Sequence, residues 1–177
     1  LREIPDGEYT GIDFLDNVGV DNAPVRIQCK LTVQGENILL NFLGSAKQLR
    51  GPYNCNYATA LGACFWVLRS FVKEEIPINS GAFKSFSIEA PEDTLVNPRY
   101  PAPLLGGYFE TTKRIVDVLF MVLSKALPFE IPAQNGGSSN PVIARFGQKQ
   151  FFELLSSGAG GSKHNAGISC VKADLAN

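Results

Sequence analysis

The chain has 177 residues, of which 45% are hydrophobic and 19% charged, and this size and apolar content predict one domain, residues 1–177, around a single core. The formal net charge is −1 and the Lys and Arg residues are scattered, which argues against nucleic-acid binding because clustered positive charge holds a phosphate backbone. The longest apolar run, residues 115–123, is about half of the ~18 residues that a membrane span needs, so no membrane association is predicted.

The amino-terminal part of the sequence predicts β-strands. Residues 9–15 form a first candidate strand, and in residues 25–33 apolar and polar residues alternate strictly. This period of two buries one face of a strand and exposes the other. The short Gly-containing connection 34–37 then leads to residues 38–42, so the two segments are expected to form an antiparallel hairpin.

A first hydrophobic helix is predicted from about Asn56 to Lys73. Asn54 or Asn56 can cap its free amides, and Pro77 follows soon after its end. Apolar residues occupy most of its circumference, and a helix of this kind is expected to lie buried between two layers.

A second helix is predicted to follow a Gly-Gly turn and to run to about Leu127, where Pro128 ends it. Its apolar face comprises Ile115, Val118, Leu119, Val122 and Leu123, and its solvent-facing side comprises Arg114, Asp117, Ser124 and Lys125. Glu110, Arg114 and Asp117 are spaced one and two helical turns apart, which predicts ion pairs on the surface.

The rest of the sequence adds a strand at residues 83–90 and a second hairpin, residues 142–146 and 150–155, around Gly147. The predicted fold class is therefore α+β. Antiparallel hairpins lie at both ends, and two long hydrophobic helices pack on the sheet.

The four cysteines form no C-x-x-C pair, which argues against a zinc ribbon. Three of them lie in apolar stretches, so buried reduced thiols in a reducing cytoplasm are expected, with a disulfide or a catalytic thiol as the alternatives. Asp13, Asp16 and Asp21 do not follow the spacing of a calcium loop and are interpreted as solvated turn acids.

The glycine-rich segment 158–163 lacks the spacing and the following helix of a phosphate-binding P-loop. A structural turn is one interpretation, and a substrate-facing or interface loop whose backbone amides hold an anion is the other. His164, the single histidine, is either solvent-facing or a proton carrier. Because no cluster of metal ligands and no Gly-x-Ser-x-Gly elbow occurs, we predict no metal site and no cofactor in this chain.

A series of short motifs runs through nearly the whole chain. In order they are Pro5-Asp6-Gly7-Glu8-Tyr9, Asn41-Phe42-Leu43-Gly44-Ser45, Gly51-Pro52-Tyr53-Asn54, Ile76-Pro77-Ile78-Asn79-Ser80-Gly81, Leu95-Val96-Asn97-Pro98 and Gly106-Gly107-Tyr108-Phe109-Glu110-Thr111 with Arg114 and Asp117. In this order and spacing they resemble the central portion of the hydantoinase B/oxoprolinase family, which includes acetone carboxylase alpha subunits.

The resemblance implies part of the B subunit of an ATP-dependent cyclic-amide hydrolase that opens hydantoin or 5-oxoproline rings. Its partners would be an A-type ATPase subunit, the remaining B-subunit segments and a small-molecule substrate. ATP and a divalent metal are implied for the complete enzyme, with the metal ligands outside this segment. A fragment of an acetone carboxylase-type carboxylase and a non-catalytic assembly subunit are the alternatives.

The sequence departs from the family pattern at Asn41, where an Asp is usual, and at residues 163–167, where Arg-Asp-Gly often stands. The predicted catalytic residues are His164, Glu110 and Arg114, and the predicted substrate-binding residues are Asn54, Asn79, Thr111, Gly158 and Gly160. Amide and guanidinium groups suit carbonyl or phosphate oxygens, and His164 can move a proton.

Overall fold

The computed structural model describes residues 4–19, 22–72, 75, 77, 79–128, 130–155 and 157–171. These residues form a four-stranded sheet, two helices and two separate two-stranded ladders, which confirms the α+β prediction. The helices are unequal in length, however. The first has 14 residues, whereas the second is an α-helix of 15 residues that continues directly from a π-helical turn of 5 residues.

The sheet contains β1 (Gly7–Leu15), β2 (Val25–Gln34), β3 (Asn37–Asn41) and β4 (Phe86–Glu89), in that order across the sheet. The first three strands are antiparallel neighbours, and β2 and β3 form the predicted hairpin. Strand β4 instead pairs parallel to β3, because the chain between them crosses over through a helix.

The predicted strand at residues 83–90 is too long. The segment Ser80–Phe83 forms a 3-10 turn, and only Phe86–Glu89 enters the sheet. The turn forms because the Asn79 side chain accepts a hydrogen bond from the backbone N–H of Gly81 at 2.9 Å, which caps the turn.

Helix α1 (Tyr57–Ser70) begins at the predicted cap, since the Asn56 side chain accepts a hydrogen bond from the Thr59 N–H at 2.8 Å. One face of the helix is buried, while Leu61 and Trp66 remain half-buried. The prediction that α1 lies between two layers is therefore wrong for the described residues, which cover the helix from one side.

Helix α2 (Thr112–Ala126) packs across β1 and β2 and also contacts α1. Its predicted apolar face is buried, which confirms that assignment. Gly11 of β1 lies under the helix, and a Cβ atom at this position would come within 2.7 Å of Val122 Cγ2. The absence of a side chain on Gly11 thus sets the distance between helix and sheet.

The carboxyl-terminal part contains the predicted hairpin, β5 (Asn140–Phe146) and β6 (Lys149–Leu155), followed by a short ladder between β7 (Gly158–Ala159) and β8 (Ile168–Ser169). The hairpin is a separate sheet, and most of its side chains are exposed. None of the described helices is long and apolar enough to cross a membrane.

Candidate functional site

A cluster of charged side chains lies between the start of α2 and strand β1. Arg114 Nη1 contacts Asp13 Oδ2 at 2.8 Å and Asp117 Oδ2 at 3.3 Å. Asp117 is fully buried, and the side chains of Arg114 and Asp13 are each 22% exposed. A guanidinium ion held between two carboxylates compensates the cost of burying Asp117.

Two predictions about this cluster are therefore wrong. Asp117 does not lie on the solvent-facing side of the helix, so its pair with Arg114 is not a surface ion pair. Asp13 is not a solvated turn acid. It lies in strand β1 on the same face as Gly11 and Leu15, where it contacts Arg114 of α2.

The segment 134–139 closes over the ion pair. Gly137 has φ +64°, and a Cβ atom here would lie 2.6 Å from Arg114 Nη2 and 3.0 Å from Asp117 Oδ2. The Gly137 N–H donates to Asn135 Oδ1 at 2.6 Å, and Gln134 Nε2 donates to the Asp117 carbonyl oxygen at 3.4 Å. Backbone rather than side chain thus covers the charged pair.

Glu110 lies one helical turn before Arg114 and is half-buried. The Ser138 hydroxyl donates to Glu110 Oε1 at 2.8 Å and also lies 3.0 Å from Asn140 Oδ1. Within the described residues, Glu110 Oε2 has no hydrogen-bond partner. A carboxylate with one oxygen fixed and the other available can accept a proton or the N–H of an amide.

The turn that carries Glu110 is π-helical, Gly107–Thr111, and π-turns inside helices are frequent at functional sites. It passes very close to another loop, since a Cβ atom on Gly107 would lie 1.8 Å from the Asn54 carbonyl oxygen. The buried Thr111 hydroxyl fastens the same loop by donating to the Tyr53 carbonyl oxygen at 2.5 Å.

Asn54 is fully buried, and its amide is engaged by the backbone. Its Oδ1 accepts from the Leu49 N–H at 2.7 Å, and its Nδ2 donates to the carbonyl oxygens of Leu49, Gly51 and Pro103 at 2.9–3.1 Å. Asn54 and Thr111 together fix the loop against which the π-turn rests. Direct contact with a substrate stays a prediction for both residues.

The other predicted site residues lie in separate places. Asn79 caps the 3-10 turn beside a cavity of about 470 Å³ at the end of α1. Gly158 pairs in the short ladder, and a Cβ atom on Gly160 would lie 1.8 Å from the Ala133 carbonyl oxygen. His164 is exposed. Among the described residues, no hydrogen bond or ion pair joins Asn79 or His164 to Glu110 or Arg114.

Sequence reasoning missed the segment Gly136-Gly137-Ser138-Ser139-Asn140 altogether. The available signal was a polar, glycine-containing run between a helix and a strand, where loops that carry functional groups are common. The departure at Asn41 has a local explanation, since Asn41 Nδ2 donates to Glu89 Oε2 at 2.5 Å. An Asp at this position would place two carboxylates against each other.

The described residues do not gather ligands for the implied divalent metal. No group of three or more His, Cys, Asp or Glu side chains in this part of the chain comes together as metal ligands. The glycine-rich loop forms its own ladder and rests on segment 131–134, with Ala133 N–H donating to the Gly161 carbonyl oxygen at 2.8 Å.

The predicted burial of three thiols is confirmed. Burial raises the pKa of Cys29 to about 12 and that of Cys55 to about 11, and it raises the pKa of Cys64 well above its ordinary value. All four cysteines are free, and Cys170 is exposed. Because a thiolate is the reactive form, the three buried thiols are inert near neutral pH.

Comparison with known proteins finds a family model, hydantoinase B/oxoprolinase, that matches residues 1–177. The chain is 35% identical over 136 residues to an uncharacterized protein of Methanocaldococcus jannaschii, a match that covers 77% of this chain and 24% of that protein. It is 28% identical to a putative D-/L-hydantoinase B subunit of a Pseudomonas strain, covering 100% of this chain and 32% of that protein. It is also 28% identical to the 5-oxoprolinase of Saccharomyces cerevisiae, covering 86% of this chain and 12% of that protein.

Two solved structures share the fold. The ATP-dependent caprolactamase of Pseudomonas jessenii superposes with a TM-score of 0.79 at 22% identity, over 96% of this chain and 31% of that chain. A nucleotide-free acetone carboxylase superposes with a TM-score of 0.76 at 18% identity, over 98% of this chain and 27% of that chain. The chain thus spans no more than about a third of the length of the relatives described here.

Proposed function

This chain belongs to the hydantoinase B/oxoprolinase family, and from that premise we propose that it is part of the B component of an ATP-dependent hydrolase that opens cyclic amides together with an A-type ATPase subunit. The family match over residues 1–177 carries the proposal. The names of three relatives support it, because 5-oxoproline, hydantoins and caprolactam all contain a ring amide.

Glu110 is the proposed catalytic carboxylate. One of its oxygens accepts a hydrogen bond from the Ser138 hydroxyl, and the other accepts none from the described residues. An oxygen of this kind can accept a hydrogen bond from the ring N–H of a cyclic amide, or take a proton from the water that attacks the ring carbonyl. Asn54 and Thr111 support this role by fixing the loop behind the turn.

Arg114 is proposed as a positioning residue. Its guanidinium lies between Asp13 and Asp117, so its charge is already compensated within the cluster. It therefore offers little attraction to an anionic substrate, but it fixes the helical turn that follows Glu110. Substitution of Arg114 should therefore move the Glu110 side chain more than it weakens the binding of a negatively charged substrate.

His164 is proposed to act on a proton only in the assembled enzyme, because it is exposed on the glycine-rich loop. Gly158 and Gly160 shape that loop, and Asn79 shapes a separate turn. The partners we propose are an A-type ATPase subunit, the remaining B-type sequence and a small cyclic amide. ATP and a divalent metal would be bound outside the residues described. We propose a reducing cytoplasm as the compartment, which is consistent with four free thiols.

The test is ATP-dependent hydrolysis of hydantoin, 5-oxoproline and caprolactam by the full protein with its A-type partner. Glu110→Gln removes the proton-accepting charge but keeps the size of the side chain, so kcat should fall by about 10²- to 10⁴-fold. Glu130→Gln, at an exposed position after α2, is the matched control and should leave kcat unchanged.

The alternatives have their own outcomes in the same assay. ATP consumption that requires bicarbonate and a ketone would assign the protein to carboxylation, the activity in the name of one structural relative. No ATP-dependent turnover with either substrate class, in a complex that still assembles, would favour a non-catalytic assembly role.

A further inference from the structure

Both faces of the hairpin β5–β6 expose large apolar side chains. The cross-strand pair Ala144–Phe151 marks one face, and the adjacent pair Ile143–Phe152 marks the other. Ile143 is 62% exposed and Phe146, near the turn, is 72% exposed. A hairpin with one solvated face would alternate apolar and polar residues, so this pattern is typical of strands covered on both sides.

The strand edges of the hairpin are also open. Among the described residues, the backbone hydrogen bonds of residues 140–155 join the two strands to each other and do not reach another strand. An isolated two-stranded hairpin is marginally stable in water, and a contiguous exposed apolar surface marks an interaction site. The hairpin is thus built to pack against further polypeptide.

We infer that the β5–β6 hairpin is an interior element of the complete B component, covered on both faces by apolar, strand-forming segments of the remaining B-type sequence. This inference rests on the proposed B-type identity, but not on the proposed substrate or on the role of Glu110. It identifies where this chain joins the rest of its subunit.

The length of the relatives supports this occupant. The match to the hydantoinase B subunit covers 32% of that protein, and the match to the caprolactamase covers 31% of that chain. Both matches run over at least 96% of this chain, a span that includes the hairpin. Each relative therefore has enough further sequence to cover two faces.

A second copy of this chain is a poorer occupant. Two-fold symmetric dimers pack the same surface patch of both subunits together. If the hairpin packed on its own copy in this way, only one of its faces would be buried. The other face, marked by either Ile143–Phe152 or Ala144–Phe151, would stay exposed. Coverage of both faces requires different surfaces on the two sides.

The test is site-specific photo-crosslinking in the full protein with its partners. A benzophenone amino acid replaces Phe151 on one face, Phe152 on the other, and Tyr100, which is 98% exposed, as the control. Each replacement keeps an aromatic ring, so the hairpin is perturbed little. Crosslinked peptides are identified by mass spectrometry in a mixture of isotopically light and heavy protein.

Crosslinks from both Phe151 and Phe152 to B-type sequence outside residues 1–177, with little crosslinking from Tyr100, are expected. Crosslinks to residues 1–177 of another copy, crosslinks to the A-type subunit, or a crosslinking yield equal to that of Tyr100 would each overturn the inference. The readout needs no turnover. An inactive complex with the expected crosslinks would count against the proposed hydrolase but not against the hairpin interface.

Discussion

Gly137 shows how closely single residues are constrained at the site. Its φ of +64° and its approach to Arg114 and Asp117 leave no room for a side chain. Gly137→Ala should cost about 2–4 kcal/mol of unfolding free energy, since the left-handed backbone alone costs about 1–2 kcal/mol and the added methyl disturbs a buried ion pair. Urea denaturation measures the loss.

Gly147 is the matched control for this substitution. It has nearly the same φ, +62°, but no atom of the described residues lies within 4 Å of the position that an added Cβ atom would take in this hairpin turn. Gly147→Ala should therefore cost only the backbone term of about 1–2 kcal/mol. Equal losses for the two variants would mean that contact with the Arg114–Asp117 pair contributes nothing.

The buried thiol of Cys29 should make the unfolding free energy depend on pH. Burial raises its folded-state pKa to about 12 from an ordinary value of 9.0. Between these values the unfolded chain has lost the proton while the folded chain keeps it, so the unfolding free energy falls as the pH rises. Between about pH 8 and about pH 10, the unfolding free energy of the wild type should therefore fall relative to that of Cys29→Ala by on the order of 1 kcal/mol.

Comparison with Cys29→Ala is needed because lysines and tyrosines titrate in the same range. Their contribution is common to both proteins and cancels in the difference. Denaturant unfolding curves at the two pH values give that difference directly. A stability difference that stays constant with pH would show that the thiol is not desolvated in the folded protein.

At the scale of elements, the crossing of α2 over β1 depends on Gly11. A Cβ atom there would lie 2.7 Å from Val122 Cγ2 and 3.1 Å from the Val118 carbonyl oxygen. Gly11→Ala should therefore push the helix outward and destabilise the protein by about 1–3 kcal/mol. Adding Val122→Ala makes room for the new methyl, so the double variant should lose less than the sum of the two single losses.

A matched glycine in α1 separates this packing effect from backbone effects. Gly62 lies on the exposed side of that helix, and no atom of the residues that the structure describes lies within 4 Å of an added Cβ atom. Gly62→Ala should stabilise the protein by about 0.5–1 kcal/mol, because alanine has the higher helix propensity. Thermal denaturation should show the loss of stability in Gly11→Ala and the gain in Gly62→Ala. If the losses of Gly11→Ala and Val122→Ala were strictly additive in the double variant, the proposed contact would be contradicted.

The elements also show how far the sequence predicts the fold. Strand β2 and helix α2 have clean apolar periods, and both were predicted because burial of one face produced the pattern. Strand β1 does not have an apolar buried face and a polar exposed face. Gly11 and Asp13 face the helix, whereas Ile12 and Phe14 are exposed. Alternation of residue type could not reveal that Asp13 points inward, because its partner Arg114 lies 101 residues away.

The candidate site was predictable only in part for the same reason. Glu110 and Arg114 were identified because they share one helix face and a distinctive motif. Ser138 and Gly137 were missed, because they approach that face from a loop whose path depends on tertiary packing. Asn54 and Thr111 were identified as polar residues within motifs, but burial and backbone bonding became visible only in three dimensions.

On the scale of the whole molecule, stability should be distributed unevenly. The sheet β1–β4 and the two helices share one buried core, whereas β5–β6 contributes no residue to it. Without further covering sequence, the hairpin should open with a free energy far below that of the core. In residues 1–177 expressed alone, the amides of β5 and β6 should exchange with deuterium much faster than those of β2.

Assembly should change this pattern. In the full B component with its partners, covering both faces of the hairpin lowers the population of its open form, so exchange in β5 and β6 should slow by at least about tenfold, which corresponds to roughly 1.4 kcal/mol of added protection. Exchange in β2, which is already buried by α2, should change little and serves as the internal control. Hairpin amides that are as protected as those of β2 in the 177-residue chain would show that the hairpin is stable without a partner, and the uneven distribution of stability would be wrong.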